Sequence, residues 1–115
     1  MIKRYEGTGR MSRVVEHNDT LYLCGQVGSG GIDIQTQTKE VLKKIEDFLS
    51  KYNSDKKHLL SVTVYLRDMK DFTAMNEIWD NWVIEGFEPA RACVEARLAR
   101  DTLLVEMSVI AAKIQ

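Results

Sequence analysis

The segment Glu88-Pro89-Ala90-Arg91-Ala92-Cys93-Val94-Glu95-Ala96-Arg97-Leu98 constrains the fold more tightly than any other part of this chain. It holds the only proline in the protein and passes at once into strict alternation. At a period of two, Ala92, Val94 and Ala96 share one face of a strand, and Arg91, Cys93, Glu95 and Arg97 share the other. Burying unpaired charges in a monomer's core costs too much, and a solvated face gives Cys93 no reason to stand between them. Such a face belongs in a subunit interface, a pocket, or both. A second alternating run, Leu103-Leu104-Val105-Glu106-Met107-Ser108-Val109-Ile110, follows a break at Ala99-Arg100-Asp101.

The rest of the chain supplies a layered partner for these strands. Met11 to Val15 and Thr20 to Val27 read as strands joined by Asn18-Asp19, residues that tolerate positive φ in a tight hairpin. Ile2 to Tyr5 adds a short edge strand. Gly28-Ser29-Gly30-Gly31 is a breaker, expected to form a mobile loop. After it, Ile34, Thr38, Val41, Leu42, Ile45, Leu49 and Tyr52 recur at helical spacing, with Asp33 as N-cap. Leu60, Val62, Val64 and Leu66 alternate with polar residues in a half-buried strand. A second helix is expected from Met69 to Ile84, with Phe72, Met75, Trp79, Trp82 and Val83 on its apolar side. Arg91 to Leu98 and Leu103 to Ala111 close the order β-β-β-α-β-α-β-β, joined by a tight turn.

This predicts an α/β (α+β) fold, one domain over residues 1–115, with a mixed six-stranded sheet and both helices on one face. The bare face is expected to carry Arg91, Cys93 and Glu95 and to be closed by oligomerisation. With 17 acidic against 16 basic residues, the chain lacks the basic stripe that nucleic acid or an anionic membrane surface would require. No apolar run approaches the roughly 18 residues of a membrane span, and Met1 to Glu6 has no signal-like apolar region. Cys24 and Cys93 are expected as separate buried thiols in a reducing cytoplasm. They and the two histidines show no ligand spacing, so neither a metal nor a cofactor is expected.

Pro89-Ala90-Arg91-Ala92-Cys93-Val94-Glu95 followed by Val105-Glu106-Met107 resembles the C-terminal signature of the RidA (YjgF) family, whose members also bear the names endoribonuclease L-PSP and translation inhibitor. Leu23-Cys24-Gly25-Gln26, Gln37-Thr38 with Val41-Leu42, and Ser61 to Leu66 with Asp68, Asp71-Phe72 and Met75-Asn76 extend the resemblance over most of the chain. It implies a chorismate mutase-like fold, a barrel-like homotrimer, and clefts between subunits that hydrolyse 2-imino acids to 2-keto acids and ammonia. By the same resemblance, Arg91 binds the substrate carboxylate, the Cys93 backbone lies beside the nitrogen, and Glu106 positions water. Gly25 is a backbone donor and Asn76 a polar residue near the cleft. Where relatives place an aromatic on the substrate, this chain has Gly9-Arg10-Met11-Ser12-Arg13. Met11 is therefore expected at the substrate, and Arg10 is expected to add a second cation there.

The residues themselves leave alternatives open. Arg91 suits a carboxylate because guanidinium and carboxylate match donor for acceptor, yet it could equally pair with Glu95 or Glu106. A carboxyl group at Glu106, between apolar neighbours, could be raised by burial and exchange protons near neutrality, or serve as structural partner to Arg91 or Arg97. Cys93 has no nearby histidine to activate it, so a thiol nucleophile is not expected. A non-catalytic carboxylate-binding trimer is the alternative to an enzyme. The ribonuclease reading is disfavoured by net charge and by the absence of aromatics interleaved with cations.

Overall fold

The computed structural model describes residues 1–115, and its element order follows the hydrophobic patterning closely. Strands β1 (Lys3–Gly7), β2 (Ser12–His17) and β3 (Thr20–Val27) form an antiparallel meander. Asn18 and Asp19 both adopt positive φ, 51° and 60°, the geometry whose twist matches the flanking strands. Helix α1 (Ile34–Lys51) starts where the Asp33 carboxylate accepts from the Thr36 amide at 2.8 Å and buries Ile34, Val41, Leu42, Ile45 and Leu49. Strand β4 (Leu59–Leu66) follows, then helix α2 (Phe72–Trp82), strand β5 (Ala90–Glu95) and strand β6 (Val105–Ala112).

All six strands join one sheet in the order β1-β2-β3-β6-β4-β5. β6 lies antiparallel between β3 and β4, while β5 runs parallel to β4 at the edge. A parallel pair needs a crossover connection, and α2 supplies it. One face packs on the helices through Val14, Leu21, Val62, Val64, Leu66, Val105, Met107 and Val109, all essentially inaccessible to solvent. No helix covers the other face, on which Val15, Tyr22 and Ile110 stand in one cross-strand row.

Four expectations need correction. The two C-terminal strands are not neighbours: β4 separates them, and the turn at Arg100–Leu103 belongs to a longer crossing over residues 96–104. β5 accordingly ends at Glu95 rather than Leu98. Met69–Asp71 is a separate 3-10 turn capped by Asp68, and α2 stops at Trp82 because Val83 turns extended (φ −66°, ψ 156°). At the start of β4 a bulge between Leu59 and Ser61 buries Leu59 and leaves Leu60 48% exposed, the reverse of simple alternation.

The fourth correction concerns the charged face. Arg91, Cys93 and Glu95 pair with Val62, Val64 and Leu66, all buried under the helices, so they lie on the helix side of the sheet. Ala90, Ala92 and Val94 take the bare face instead, with Val94 43% exposed. The alternation is as expected; the sides are exchanged.

Candidate functional site

A pocket of about 310 Å³ opens on the bare face, lined by Gly25, Tyr65, Glu106, Ser108 and the segment Ala96-Arg97-Leu98-Ala99. The sheet register builds most of it. Glu106 lies opposite Tyr65 on β4, and Thr63 lies opposite Ser108. Gly25 reaches the same spot because the β3–β6 ladder slips between Leu23 and Gln26. A Cβ on Gly25 would collide with Glu106 Oε2 and stand 3.0 Å from its Cδ. Only glycine leaves that carboxylate its place. Glu106 makes no ion pair within the protomer, with Arg91, Arg97 or any other cation.

The loop that forms the pocket's rim is fixed from beneath. Gln37, fully buried on α1, donates to the carbonyls of Ile32 (2.9 Å) and Thr102 (3.0 Å) and accepts from the Leu104 amide (2.9 Å). The Arg67 guanidinium donates to the carbonyls of Leu98, Arg100 and Leu103 at 3.3, 2.6 and 2.8 Å. The glycine-rich breaker is tied to the same loop by a bond from the Gly31 amide to the Thr102 carbonyl.

Arg91 occupies a second place. Its Nη1 donates to Asn76 Oδ1 at 2.8 Å, and its guanidinium lies over the Trp79 ring, 5.1 Å from the centroid. Cys93 follows on the same face, where burial pushes the thiol up while the Arg91 guanidinium pulls it down to a lesser degree. A thiol so placed stays protonated at neutral pH and is a poor nucleophile. Glu95 is engaged elsewhere, accepting from the Met69 amide at 2.9 Å, so it is no partner for Arg91. Arg91 with Asn76 and Cys93 therefore forms one group on the helix side, and Glu106 with Gly25 another on the bare side. One subunit does not bring them together.

Arg10 and Met11 join neither group. They sit in the β1–β2 turn, where both backbone amides lie 3.3 Å from the Thr8 hydroxyl that accepts from them, and both side chains are exposed. No three His, Cys, Asp or Glu side chains converge as a metal site. No helix is long and apolar enough to cross a membrane.

The family model for endoribonuclease L-PSP matches residues 1–113. The chain belongs to that family. A RutC family protein from Haemophilus ducreyi is 43% identical over 113 residues, covering 97% of each chain. The RutC family protein YoaB from Escherichia coli is 40% identical over 111 residues, 96% of this chain and 97% of its own. Among solved structures, a YjgF family protein from Neisseria meningitidis superposes with a TM-score of 0.96 at 43% identity, covering 100% of this chain and 97% of the other. An uncharacterized protein from Pseudomonas aeruginosa gives 0.95 at 37% identity, covering 99% and 100%. The fold is thus that of YjgF family structures, as the C-terminal motif implied.

Sequence reasoning missed Tyr65, Ser108, Gln37 and Arg67 as parts of the site. Tyr65 and Gln37 fell within segments that carry the resemblance, but no role was given to either; Ser108 was readable only as strand alternation, and Gln37 also as a polar side chain on the apolar stripe of α1.

Proposed function

We propose that this protein is an imine deaminase of the RidA type, a homotrimer that hydrolyses 2-imino acids to 2-keto acids and ammonia in clefts between subunits. The observation that carries the reading is the division of the motif residues between two faces of one sheet. A held guanidinium and an unpaired carboxylate both await a ligand, and a cleft using both needs a second copy of the chain. The edge position of β5 makes Arg91 available to a neighbour, and the apolar residues of the bare face give that neighbour a surface to cover.

In this reading, Arg91 of one subunit binds the substrate carboxylate, kept in place by Asn76 and Trp79. Each charge-assisted hydrogen bond there contributes about 1.5–3 kcal/mol. The backbone at Cys93 lies beside the imine nitrogen, and Gly25 offers its backbone beside Glu106 of the adjoining subunit. Glu106 takes a proton from water as the water oxygen adds to the C=N carbon, and delivers that proton to nitrogen to give a carbinolamine. It then takes the carbinolamine hydroxyl proton and passes it to the same nitrogen, so the C–N bond breaks as the C=O bond forms; ammonia leaves, the 2-keto acid remains, one water is consumed and no oxidant or reductant enters. A small-molecule carboxylate in the cytoplasm is the expected substrate, with no nucleic-acid or membrane partner. A pocket with one arginine, one glutamate and one tyrosine lacks the run of cations and stacking aromatics that an RNA strand requires.

The test is disappearance of an imino acid generated in situ by an amino-acid oxidase, corrected for spontaneous hydrolysis. Arg91→Ala should lose binding and turnover together, because the anchor acts in ground and transition states alike. Glu106→Gln should lower turnover by roughly 10²–10⁴-fold while keto-acid binding stays near wild type. If neither substitution changes the rate over background, the protein binds carboxylates without turning them over.

A further inference from the structure

The pocket contains a cation that the proposed chemistry does not use. Arg97 is the only base among its lining residues and Glu106 the only acid, yet the two form no ion pair, and no other carboxylate lies within 4 Å of the Arg97 guanidinium. Its backbone is fixed on both sides. The Ala96 amide donates to the Leu66 carbonyl at 2.8 Å, and Leu98 is buried in the core while its carbonyl accepts from Arg67. Arg97 and Leu98 both line the pocket, Leu98 buried and Arg97 exposed. A surface arginine ordinarily waves in solvent on a loop free to move. This one rises from a backbone fixed on both sides, with its side chain exposed and its charge uncompensated.

We infer that Arg97 is a specificity-determining residue that selects ligands with a second anionic group, of the dicarboxylate 2-imino and 2-keto acid class. The inference rests on the Glu106 pocket being the reacting end of the cleft. Arg91 then takes the carboxylate next to the reacting carbon, and Arg97 takes the distal one at the end of the side chain. A guanidinium reads such a group in two parallel hydrogen bonds, which an ammonium cannot reproduce. Arg10, expected to supply a second cation, lies in the β1–β2 turn and does not line this pocket within one subunit.

The experiment compares calorimetric binding of 2-oxobutanoate and 2-oxoglutarate by wild type, Arg97→Ala, Arg97→Lys and Arg100→Ala. Arg100 lies on the same loop, is exposed and does not line the pocket, so its removal subtracts the same charge without touching the site. Wild type should prefer the dicarboxylate by roughly tenfold or more. Arg97→Ala should abolish that preference while binding 2-oxobutanoate within about twofold of wild type, and Arg97→Lys should retain part of it. Equal affinities in wild type, or a preference unchanged in Arg97→Ala, overturns the inference. So does an equal loss in Arg100→Ala, which would make the effect one of general charge. If wild type binds neither acid, the pocket reading itself fails and takes this inference with it.

Discussion

Gly25 shows how much a single absent carbon can decide. Its backbone takes no positive φ, so alanine fits the strand there; what alanine cannot do is coexist with the present position of Glu106 Oε2. The colliding group is the far end of a flexible side chain, so the fold should survive with Glu106 swung aside. Gly25→Ala is therefore expected to melt within a few degrees of wild type and to lose about tenfold or more in imine turnover, with proton transfer misaligned. A variant that unfolds, or one that turns over normally, would show that the close approach is not what positions the carboxylate. Cys93 lies at the opposite extreme. Its raised thiol pKa fits a backbone role with an inert side chain.

At the scale of elements, the loop over residues 96–104 is the part most dependent on distant support. Gln37→Leu keeps the volume of the side chain but strands the Ile32 carbonyl and the Leu104 amide beneath the rim, and leaves the Thr102 carbonyl with the Gly31 amide alone. At about 1–3 kcal/mol for each buried group left unpaired, with some relief from water, a loss of roughly 3 kcal/mol is expected in urea unfolding. Folded Gln37→Leu should also bind keto acids more weakly, because the pocket wall loses its anchor. The same elements show what the chain discloses about itself. The Asn18-Asp19 turn and the Asp33 cap were legible because each is settled within four residues. The insertion of β6 between β3 and β4 was not, since strand order is set by pairings distant in the chain. Alternation in β5 separates two sets of side chains without saying which is inside. Being an edge strand, β5 is exposed on its bare side and only half-buried at Arg91 and Cys93 on the other, and the partners that decide the matter, Asn76 and Trp79, come from α2. Arg91, Cys93, Gly25 and Glu106 were thus identifiable as residues from the motif, but their division between two faces was not.

On the scale of the whole molecule, the sheet face without helices carries Val15, Tyr22, Ile110, Ala92 and Val94, with Tyr22 and Val94 each 43% exposed. A face of this composition is stabilised when covered, at about 25 cal/mol per Å² of apolar surface removed from water. Sedimentation at micromolar concentration should give about three times the 13.2 kDa chain mass. Replacing Val94 by Asp should release monomers that keep their helical circular dichroism. A monomeric wild type would leave the two groups of residues on separate faces and would end the case for a shared cleft.

The placement of Arg91 and Glu106 on opposite sides of one sheet has a genetic consequence. If each cleft borrows one of them from a neighbour, the lesions of Arg91→Ala and Glu106→Gln fall on different halves of the same site. Subunits of the two inactive proteins, dissociated, mixed and reassembled, would regenerate intact clefts wherever an Arg91→Ala chain presents its glutamate to the arginine of a Glu106→Gln chain. Random mixing yields that arrangement in about one cleft in four, so two dead preparations should recover about a quarter of wild-type turnover. Complementation of this kind would be absent if one chain held the complete site, for then no exchange of partners could repair either defect.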